Sequence, residues 1–297
     1  MTRAAYAIPG SHRKRRTGLL GAVAILAAAS PALALGAKPV CVTAPPEAAL
    51  VVPHAAEVLA RQHKLTIVAM GSSSTTGVGA SSPDRTYPAR LQAALQARFP
   101  DAQITVHNRG GNGEDVTENL WRFDRDIRAL KPDLVLWQVG TNYVLRNVGV
   151  GRFSEPLRQG IELIRSYGAD VALIDPQYSV WVNLDADTPA MLQTIAKVGR
   201  EQNVSVFPRY KVMKRWVEQD KVPLSSILFL DGLHLTDWSY DCFSRLLADS
   251  LAAGLAPAIA QRGGKTVDAS GGTGVQAKPD GGRTGRASSA GSASAAR

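Results

Sequence analysis

A hydroxyl nucleophile is the first group in this chain that could do chemistry. Ser73 stands in the glycine-bounded segment GSSSTTG, residues 71–77. The segment follows an apolar run and leads towards a helix, whose N-terminal N–H groups favour negative charge. A phosphate-binding loop would end in Gly-Lys-Ser/Thr, and no lysine is present here. Helix capping stays open for Ser72 and Ser74, so the segment predicts nucleophilic chemistry at Ser73.

A serine nucleophile needs a base, and the base needs a group that orients it. Of the five histidines, His234 alone has a carboxylate three residues earlier, in the loop Asp231-Gly232-Leu233-His234. A tight turn at Gly232 would bring Asp231 onto the imidazole Nδ1–H and leave Nε2 to accept the serine proton. A solvent-exposed loop histidine is the alternative for an isolated Asp-x-x-His. Its place after the last predicted strand favours a catalytic pair.

Two further residues could stabilise a developing oxyanion. Gly113 lacks a side chain, so its N–H could approach a substrate oxygen closely. Asn142 carries an amide N–H₂ that could donate to the same oxygen. Taken singly, each is better explained as an ordinary turn residue.

The elements that must position these residues follow an alternating pattern. Short apolar runs typical of buried strands alternate with segments of helical spacing, which predicts a parallel sheet with helices on both faces. The predicted strands cover residues 65–70, 104–107, 134–139, 171–174 and 204–206; the predicted helices cover residues 87–99, 116–130, 153–167, 189–202, 211–219 and 236–260, the last with a possible break near Gly254 and Pro257. A glycine-rich turn at 108–113 follows the second strand. The expected fold class is therefore α/β, a three-layer α/β/α flavodoxin-like sandwich with a mostly parallel five-stranded sheet.

The candidate residues occupy corresponding places in that pattern. Ser73, Gly113 and Asn142 follow the first, second and third predicted strands. In open α/β sheets, binding sites form at the carboxyl ends of the strands. The sequence therefore predicts that these residues meet at one edge of the sheet.

Four segments, taken in order, resemble the blocks of the SGNH (GDSL-like) hydrolases. They are residues 71–77, 108–114, 140–142 and 231–234, within a resemblance that spans roughly residues 64–255. The resemblance implies a serine esterase in which Ser73, His234 and Asp231 form the catalytic triad. It also implies an oxyanion hole made by the backbone N–H groups of Ser73 and Gly113 and the side chain of Asn142.

Two positions depart from the family pattern. Ser72 stands where the family usually has an aspartate before the nucleophile, and Tyr143 stands where an aspartate usually follows the asparagine. Both changes remove negative charge near the site. Tyr143, Arg146 and Trp137 are candidates for lining a substrate pocket, although a core position is the alternative for Trp137.

Three other aromatic residues could form a platform for a sugar. They are Tyr178, Trp181 and Trp238. Packing beneath a loop explains them equally well, so both interpretations remain open.

The two ends of the chain differ in composition from its middle. Residues 1–37 have a basic cluster, an apolar run and an Ala-x-Ala-like site, which is typical of a secretory signal; an uncleaved signal anchor is the alternative. Residues 38–63 are rich in alanine and proline and are predicted to be an extended N-terminal segment. The catalytic domain is expected at residues 64–261. Residues 262–297, rich in glycine, serine and alanine, are predicted to be a disordered basic tail.

The positive charge is also confined to the ends. The chain has a net charge of +9, and residues 38–261 are neutral overall. The basic character therefore does not indicate that the folded domain binds nucleic acid. In an exported protein, Cys41 and Cys242 are expected to form a disulfide, with two unpaired thiols as the alternative. No spacing of cysteine and histidine suggests zinc, and the predicted chemistry needs neither a metal nor a cofactor.

Together these observations predict an exported serine esterase, located in the periplasm or outside the cell. Its expected substrates are acetyl or other short-chain esters, first of all on carbohydrate. No membrane span is expected in the mature chain. Transfer of the acyl group to a sugar hydroxyl and a non-catalytic glycan-binding module on the same fold are the alternatives.

Overall fold

The centre of the fold is a sheet of five parallel strands. The computed structural model describes residues 40–41 and 49–268, with side chains to Ala260. The strands are β1 (Lys64–Gly71), β2 (Gln103–Gly110), β3 (Leu134–Gln138), β4 (Asp170–Ile174) and β5 (Ser205–Phe207). Their order is β2-β1-β3-β4-β5, and each neighbouring pair is parallel. This order confirms the predicted flavodoxin-like sheet, which is parallel throughout.

Helices connect the strands and cover both faces of the sheet. They are α1 (Pro53–Gln62), α2 (Ser73–Thr76), α3 (Tyr87–Arg98), α4 (Val116–Leu120), α5 (Phe123–Asp126), α6 (Thr141–Leu145), α7 (Ser154–Ser166), α8 (Val180–Leu184), α9 (Thr188–Glu201), α10 (Arg209–Glu218), α11 (Leu224–Ile227) and α12 (Asp237–Asp268). Short 3₁₀ turns lie at Pro83–Arg85, Arg128–Leu130 and Val150–Arg152.

Two apolar cores, one on each face of the sheet, make the three layers. Along β1, Ile67 and Ala69 belong to one core, and Val68 and Met70 belong to the other. This alternation follows from the two-residue period of a strand. The first core also takes residues from α1, α3, α10 and α12, while the second takes residues from α4, α5, α7 and α9. The predicted α/β/α sandwich is confirmed.

The segment before β1 differs from the prediction. Residues 53–62 form α1 rather than an extended segment, and Ala55 and Leu59 are buried in the first core. Pro53 sits in the first turn, where its missing N–H does no harm, and alanine is the strongest helix former. The prediction gave too much weight to the proline and too little to the alanines that follow it.

The helix predicted over residues 116–130 is broken into α4, α5 and a 3₁₀ turn. Arg122 lies at the first break and donates from Nη2 to the carbonyl oxygens of Arg109 (2.8 Å) and Gly71 (3.4 Å). These carbonyls lie at the ends of β2 and β1. At this break, the Arg122 side chain therefore connects the helical segment to the ends of the two strands. Strand β2 is also longer than predicted, because it continues through Asn108 and Arg109 to Gly110.

The last helix runs through the expected break. Gly254 and Pro257 both lie inside α12, which continues to Asp268. A Cβ on Gly254 would lie 1.8 Å from the carbonyl oxygen of Leu50, so this glycine lets the N-terminal segment cross the helix closely. Residues 262–268, which were predicted to begin a disordered tail, are thus helical. The rest of that tail, residues 269–297, and the predicted signal, residues 1–37, lie outside the described residues.

A disulfide joins the N-terminal segment to this last helix. Cys41 pairs with Cys242 of α12, with the two Cα atoms 5.4 Å apart. The pairing predicted from the sequence is therefore present in the structure.

Among the described residues, one helix is long and apolar enough to cross a membrane, the part of α12 from Asp237 to Ala260. Half of its most apolar window is buried inside the protein. Tyr240, Phe243 and Leu247 from this helix contribute to the first core. Packing against the first core therefore accounts for the apolar composition of this helix.

Candidate active site

Ser73, His234 and Asp231 are joined by consecutive hydrogen bonds. His234 Nε2 lies 2.7 Å from Ser73 Oγ, and His234 Nδ1 lies 2.5 Å from Asp231 Oδ2. With the proton of the imidazole on Nδ1, Nε2 is free to accept the hydroxyl proton of Ser73. The structure thus brings together three residues that are separated by up to 161 positions in the sequence.

The turn after β1 places Ser73 at the first position of α2. Gly71 precedes it with a φ of +152°. A Cβ at Gly71 would lie 2.5 Å from Thr75 Oγ1 and 2.9 Å from the side chain of Gln138. Only glycine lets the chain turn this tightly at the end of the strand.

The loop of Asp231 holds its carboxylate in the ionised form. Asp231 Oδ1 accepts hydrogen bonds of 2.9 Å from the backbone N–H groups of Leu233 and His234. Partial burial by itself raises the pKa of this carboxyl, but hydrogen bonds from the His234 side chain and from these two N–H groups outweigh it. The pKa of Asp231 is therefore lowered, so the carboxylate stays charged beside the imidazole at neutral pH.

The turn that carries Gly113 lies against the nucleophile turn and against Asn142. Gly111 N–H donates to the carbonyl oxygen of Gly71 at 2.9 Å. Asn142 Nδ2 donates to the carbonyl oxygen of Glu114 at 2.8 Å. A Cβ on Gly113 would meet nothing within 4 Å, so the space on that side of the residue is open. The site can therefore offer N–H groups from three separate strand ends.

Within the described part of the chain, the N–H groups of Ser73 and Gly113 make no hydrogen bond to protein atoms. Asn142 Nδ2 carries two hydrogens, and its one hydrogen bond uses one of them. Unused donors grouped near a hydroxyl nucleophile are what an oxyanion requires.

The three residues predicted to line a substrate pocket make contacts within the protein instead. Trp137 is fully buried in the second core, where its Nε1 donates to Asn119 Oδ1 at 2.8 Å. Tyr143 is buried edge-on against Phe153. Both side chains pack into the second core, so their burial gives no support to the prediction that they line a substrate pocket.

Arg146 is partly exposed, but acceptors of the protein occupy its guanidinium. Nη1 donates to Asp115 Oδ2 at 3.1 Å and to Glu118 Oε1 at 2.8 Å, and Nη2 donates to the carbonyl oxygen of Gly113 at 2.5 Å. Arg146 therefore braces the Gly113 turn rather than presenting a free cation to a substrate.

The neutral Ser72 has a matching partner. Its N–H and its hydroxyl both donate to Gln138 Oε1, at 2.9 and 2.7 Å. An aspartate at this position would set a carboxylate against that oxygen. The departure from the usual family pattern thus goes together with Gln138, which lies 66 positions further along the chain.

Of the three aromatic residues considered as a sugar platform, Trp181 is the most exposed. The residue is 52% exposed, and its Nε1 donates to the carbonyl oxygen of Asp231 at 2.7 Å. Tyr178 packs against Tyr210, and Trp238 packs against Trp216. Leu230, next to Asp231 in the chain, is also exposed.

Among the described residues, no group of three or more His, Cys, Asp or Glu side chains is placed to hold a metal ion. The hydrogen-bonded groups around Ser73 can transfer a proton and donate hydrogen bonds without one.

A match to a family model, together with this fold, identifies the chain as an SGNH-like hydrolase, a class of enzymes that act on ester bonds. The chain belongs to the non-GDSL lipase-like family, whose family model matches residues 41–257. That match begins before α1, so the family resemblance includes the N-terminal segment as well as the expected catalytic domain. The comparison with curated proteins found no match.

Solved structures of esterases share the fold. A variant of Axe2, an acetyl-xylooligosaccharide esterase from Geobacillus stearothermophilus, is 18% identical with a TM-score of 0.55, covering 63% of this chain and 93% of its own. A two-domain esterase active on acetylated mannans is 18% identical with a TM-score of 0.59, covering 72% of this chain; the match spans about half, 55%, of that protein. A lipase/acylhydrolase from Enterococcus faecalis is 25% identical with a TM-score of 0.52, covering 64% of this chain and 96% of its own.

Proposed function

We propose that this protein is an exported serine esterase that removes acetyl or other short acyl groups from carbohydrate. Ser73 is the nucleophile, His234 the general base and acid, and Asp231 the group that orients the imidazole. The proposal rests on two consecutive hydrogen bonds. Ser73 Oγ lies 2.7 Å from His234 Nε2, and His234 Nδ1 lies 2.5 Å from Asp231 Oδ2.

The first half of the reaction acylates Ser73. His234 Nε2 takes the hydroxyl proton as Ser73 Oγ forms a bond to the carbonyl carbon of the ester. The resulting oxyanion accepts hydrogen bonds from the N–H groups of Ser73 and Gly113 and from Asn142. Collapse of this intermediate breaks the bond to the leaving alcohol, which takes the proton from His234 Nε2.

The second half releases the acid. Water gives a proton to His234 Nε2 as its oxygen attacks the acyl carbon, and the same three donors stabilise the second oxyanion. Breaking the acyl–Oγ bond then returns the proton to Ser73. Throughout the cycle, Asp231 stays ionised and stabilises the imidazolium, in agreement with its lowered pKa.

Two observations favour a carbohydrate ester. The Axe2 esterase and the mannan-active esterase, whose folds resemble this one, act on acetylated sugars. Trp181 holds a half-exposed indole in a fixed orientation beside Asp231, and such a ring offers a flat apolar face with which a sugar can pack. His234 protonates the leaving alcohol, so the alcohol lies on this side of the site.

Export is supported by the signal-like composition of residues 1–37 and by the Cys41–Cys242 disulfide. Disulfides persist in oxidising compartments and are rare in the cytosol. The proposed location is the periplasm or the outside of the cell.

Labelling with a fluorophosphonate tests the nucleophile. The wild-type protein should be labelled and should hydrolyse p-nitrophenyl acetate, whereas Ser73→Ala should lose both properties. Ser74→Ala is the matched control, since Ser74 is a buried neighbour whose Oγ makes no hydrogen bond in the described structure. An unlabelled wild-type protein would point to a glycan-binding module, and a Ser73→Ala variant that still turns over would disprove the assignment.

Acetate release from acetylated xylo-oligosaccharides and mannans tests the substrate class. We expect release from at least one of them, and a fall in rate on p-nitrophenyl esters as the acyl chain lengthens. Trp181→Phe keeps an aromatic face, whereas Trp181→Leu does not, so only the second should weaken activity on the sugar esters through lost stacking. Activity that rises with acyl length, without acetate release from sugars, would favour a lipid ester. Acylated sugar formed when a second sugar is added would indicate acyl transfer.

A further inference from the structure

A buried network of polar side chains lies beneath the site. Its members are Ser72, Gln138, Thr141, Gln177 and Arg209, and each of them is at most 3% exposed. Buried polar groups are costly unless they are hydrogen-bonded, so their arrangement is under strong physical constraint.

The network runs in one direction from the nucleophile turn. Gln138 Oε1 must be an acceptor, because the backbone N–H of Ser72 donates to it at 2.9 Å. Gln138 Nε2 therefore donates to Thr141 Oγ1 at 3.3 Å. The Thr141 hydroxyl in turn donates a hydrogen bond to Gln177 Oε1 at 2.9 Å.

Arg209 fixes the other end. Its Nη2 donates to Gln177 Oε1 at 2.8 Å, and its Nε donates to the carbonyl oxygen of Asp175 at 3.0 Å. A guanidinium can only donate, so the oxygen of the Gln177 amide must face Arg209 and Thr141. The nitrogen of that amide is left to donate to the carbonyl oxygen of Leu233, at 3.4 Å.

The network ends next to three of the proposed functional residues. Ser72 precedes the nucleophile, Thr141 precedes Asn142 and Leu233 precedes His234. Gln177 is the member that joins the last of these segments to the other two. No other described side chain donates to the Leu233 carbonyl.

We infer that Gln177, oriented by Arg209, is a positioning residue that sets the His234 loop against the nucleophile turn and the Asn142 turn. The inference rests on the proposed function of Ser73, His234 and Asn142. Gln177 does not touch the reacting atoms; it acts through the Leu233 carbonyl.

The substitution Gln177→Glu separates positioning from stability. The variant keeps an oxygen for Thr141 and Arg209 but turns an oxygen, instead of an N–H₂, towards the Leu233 carbonyl. Arg209 Nη1 has no hydrogen-bond partner in the described structure, so a buried carboxylate gives it a better acceptor and should preserve folding. We expect an unchanged or raised Tm, a kcat on p-nitrophenyl acetate lowered about 10- to 100-fold, and a KM within a few-fold of wild type.

A second pair of variants guards against misfolding of the first. Thr141→Val removes the central hydroxyl and should lower kcat, whereas Thr141→Ser keeps it and should restore kcat to within a few-fold. Gln193→Glu, on the exposed side of α9, adds the same charge away from the network and should leave kinetics unchanged.

Three outcomes decide the question. A Gln177→Glu enzyme that is folded and has wild-type kcat overturns the inference while leaving the proposed function intact. Loss of kcat in strict proportion to loss of folded protein, in both Gln177→Glu and Thr141→Val, also overturns it. If wild-type turnover does not depend on Ser73, the proposed function and the inference fail together.

Discussion

Replacing Asn142 by alanine should slow the chemical step without weakening substrate binding. Asn142 Nδ2 has one hydrogen engaged by the Glu114 carbonyl and one left for the oxyanion. The variant would retain the other two proposed donors, the N–H groups of Ser73 and Gly113. Loss of one oxyanion donor costs about 2.7–4 kcal/mol in the transition state, or roughly 10²- to 10³-fold in kcat.

The same substitution also removes the hydrogen bond to Glu114, which contributes about 1 kcal/mol to stability. For a domain of this size, that corresponds to a fall in Tm of about 2–4 °C. The effect on stability is therefore small and separable from the effect on catalysis.

The assay is steady-state hydrolysis of p-nitrophenyl acetate, with kcat and KM determined separately, beside a thermal melt. A donor that acts only in the transition state lowers kcat and kcat/KM together. Asn183→Ala, which removes an exposed amide from α8, is the control and should behave as wild type. A folded Asn142→Ala enzyme with kcat within about 3-fold of wild type, or with a change in KM alone, would refute the role of this amide.

Three further predictions follow from other contacts. Asp231→Asn should lower kcat by about 10⁴-fold, as the same change does in a serine protease triad, because an amide nitrogen facing Nδ1 forces the imidazole proton onto Nε2; near-normal kcat would show that Asp231 does not orient the ring. Burial raises the pKa of Asp175 to about 7 from 3.8. Below about pH 4 the buried carboxyl is neutral and costs no stability, but the free energy of unfolding falls as the pH rises from about 4 to about 7, because the folded protein must then bury a charge. Asp175→Asn should therefore have a higher Tm than wild type at pH 8 and a similar one near pH 4 in thermal melts, whereas a lower Tm at pH 8 would mean that attraction to Arg209 dominates. Reduction of the disulfide, or Cys41→Ser, should destabilise the domain by up to about 5 kcal/mol, because the bond closes a loop with a sequence separation of 201 residues; urea unfolding with and without reductant measures this, and equal midpoints would contradict it.

The fold and the order of the site segments could be predicted because they depend on local patterns. Continuous apolar runs marked all five strands, and polar or glycine-rich segments followed them directly. Parallel strands bring their carboxyl ends to one edge, so the approach of the segments around Ser73 and Asn142 followed from topology. The short spacing of Asp231 and His234 made their contact readable from the sequence as well.

What the sequence did not predict depends on contacts between distant residues. Trp137 and Tyr143 stand beside the site segments in sequence, but the direction of their side chains is set by packing against Asn119 and Phe153. The partnership of Gln177 with Arg209 joins residues 32 positions apart, and neither residue has a pattern around it. Such contacts appear only once the chain is folded.

Helix boundaries failed for a related reason. The pattern over residues 116–130 has helical spacing, yet the inward contacts of Arg122 accompany a break that spacing cannot reveal. Conversely, Pro257 suggested a break in α12 that packing overrides. Tertiary contacts outweighed local propensity in both places.

The Cys41–Cys242 bond turns most of the domain into a covalent ring. Every proposed functional residue, from Ser73 to His234, lies in the part of the chain that the ring encloses. A protease that cuts one peptide bond in an exposed loop of the ring opens it but does not separate the two pieces. Since the sheet still holds those pieces in register, the nicked molecule can keep a complete site. If the protein is exported, as we propose, proteases are common in its surroundings, and the ring would lengthen the working life of the enzyme.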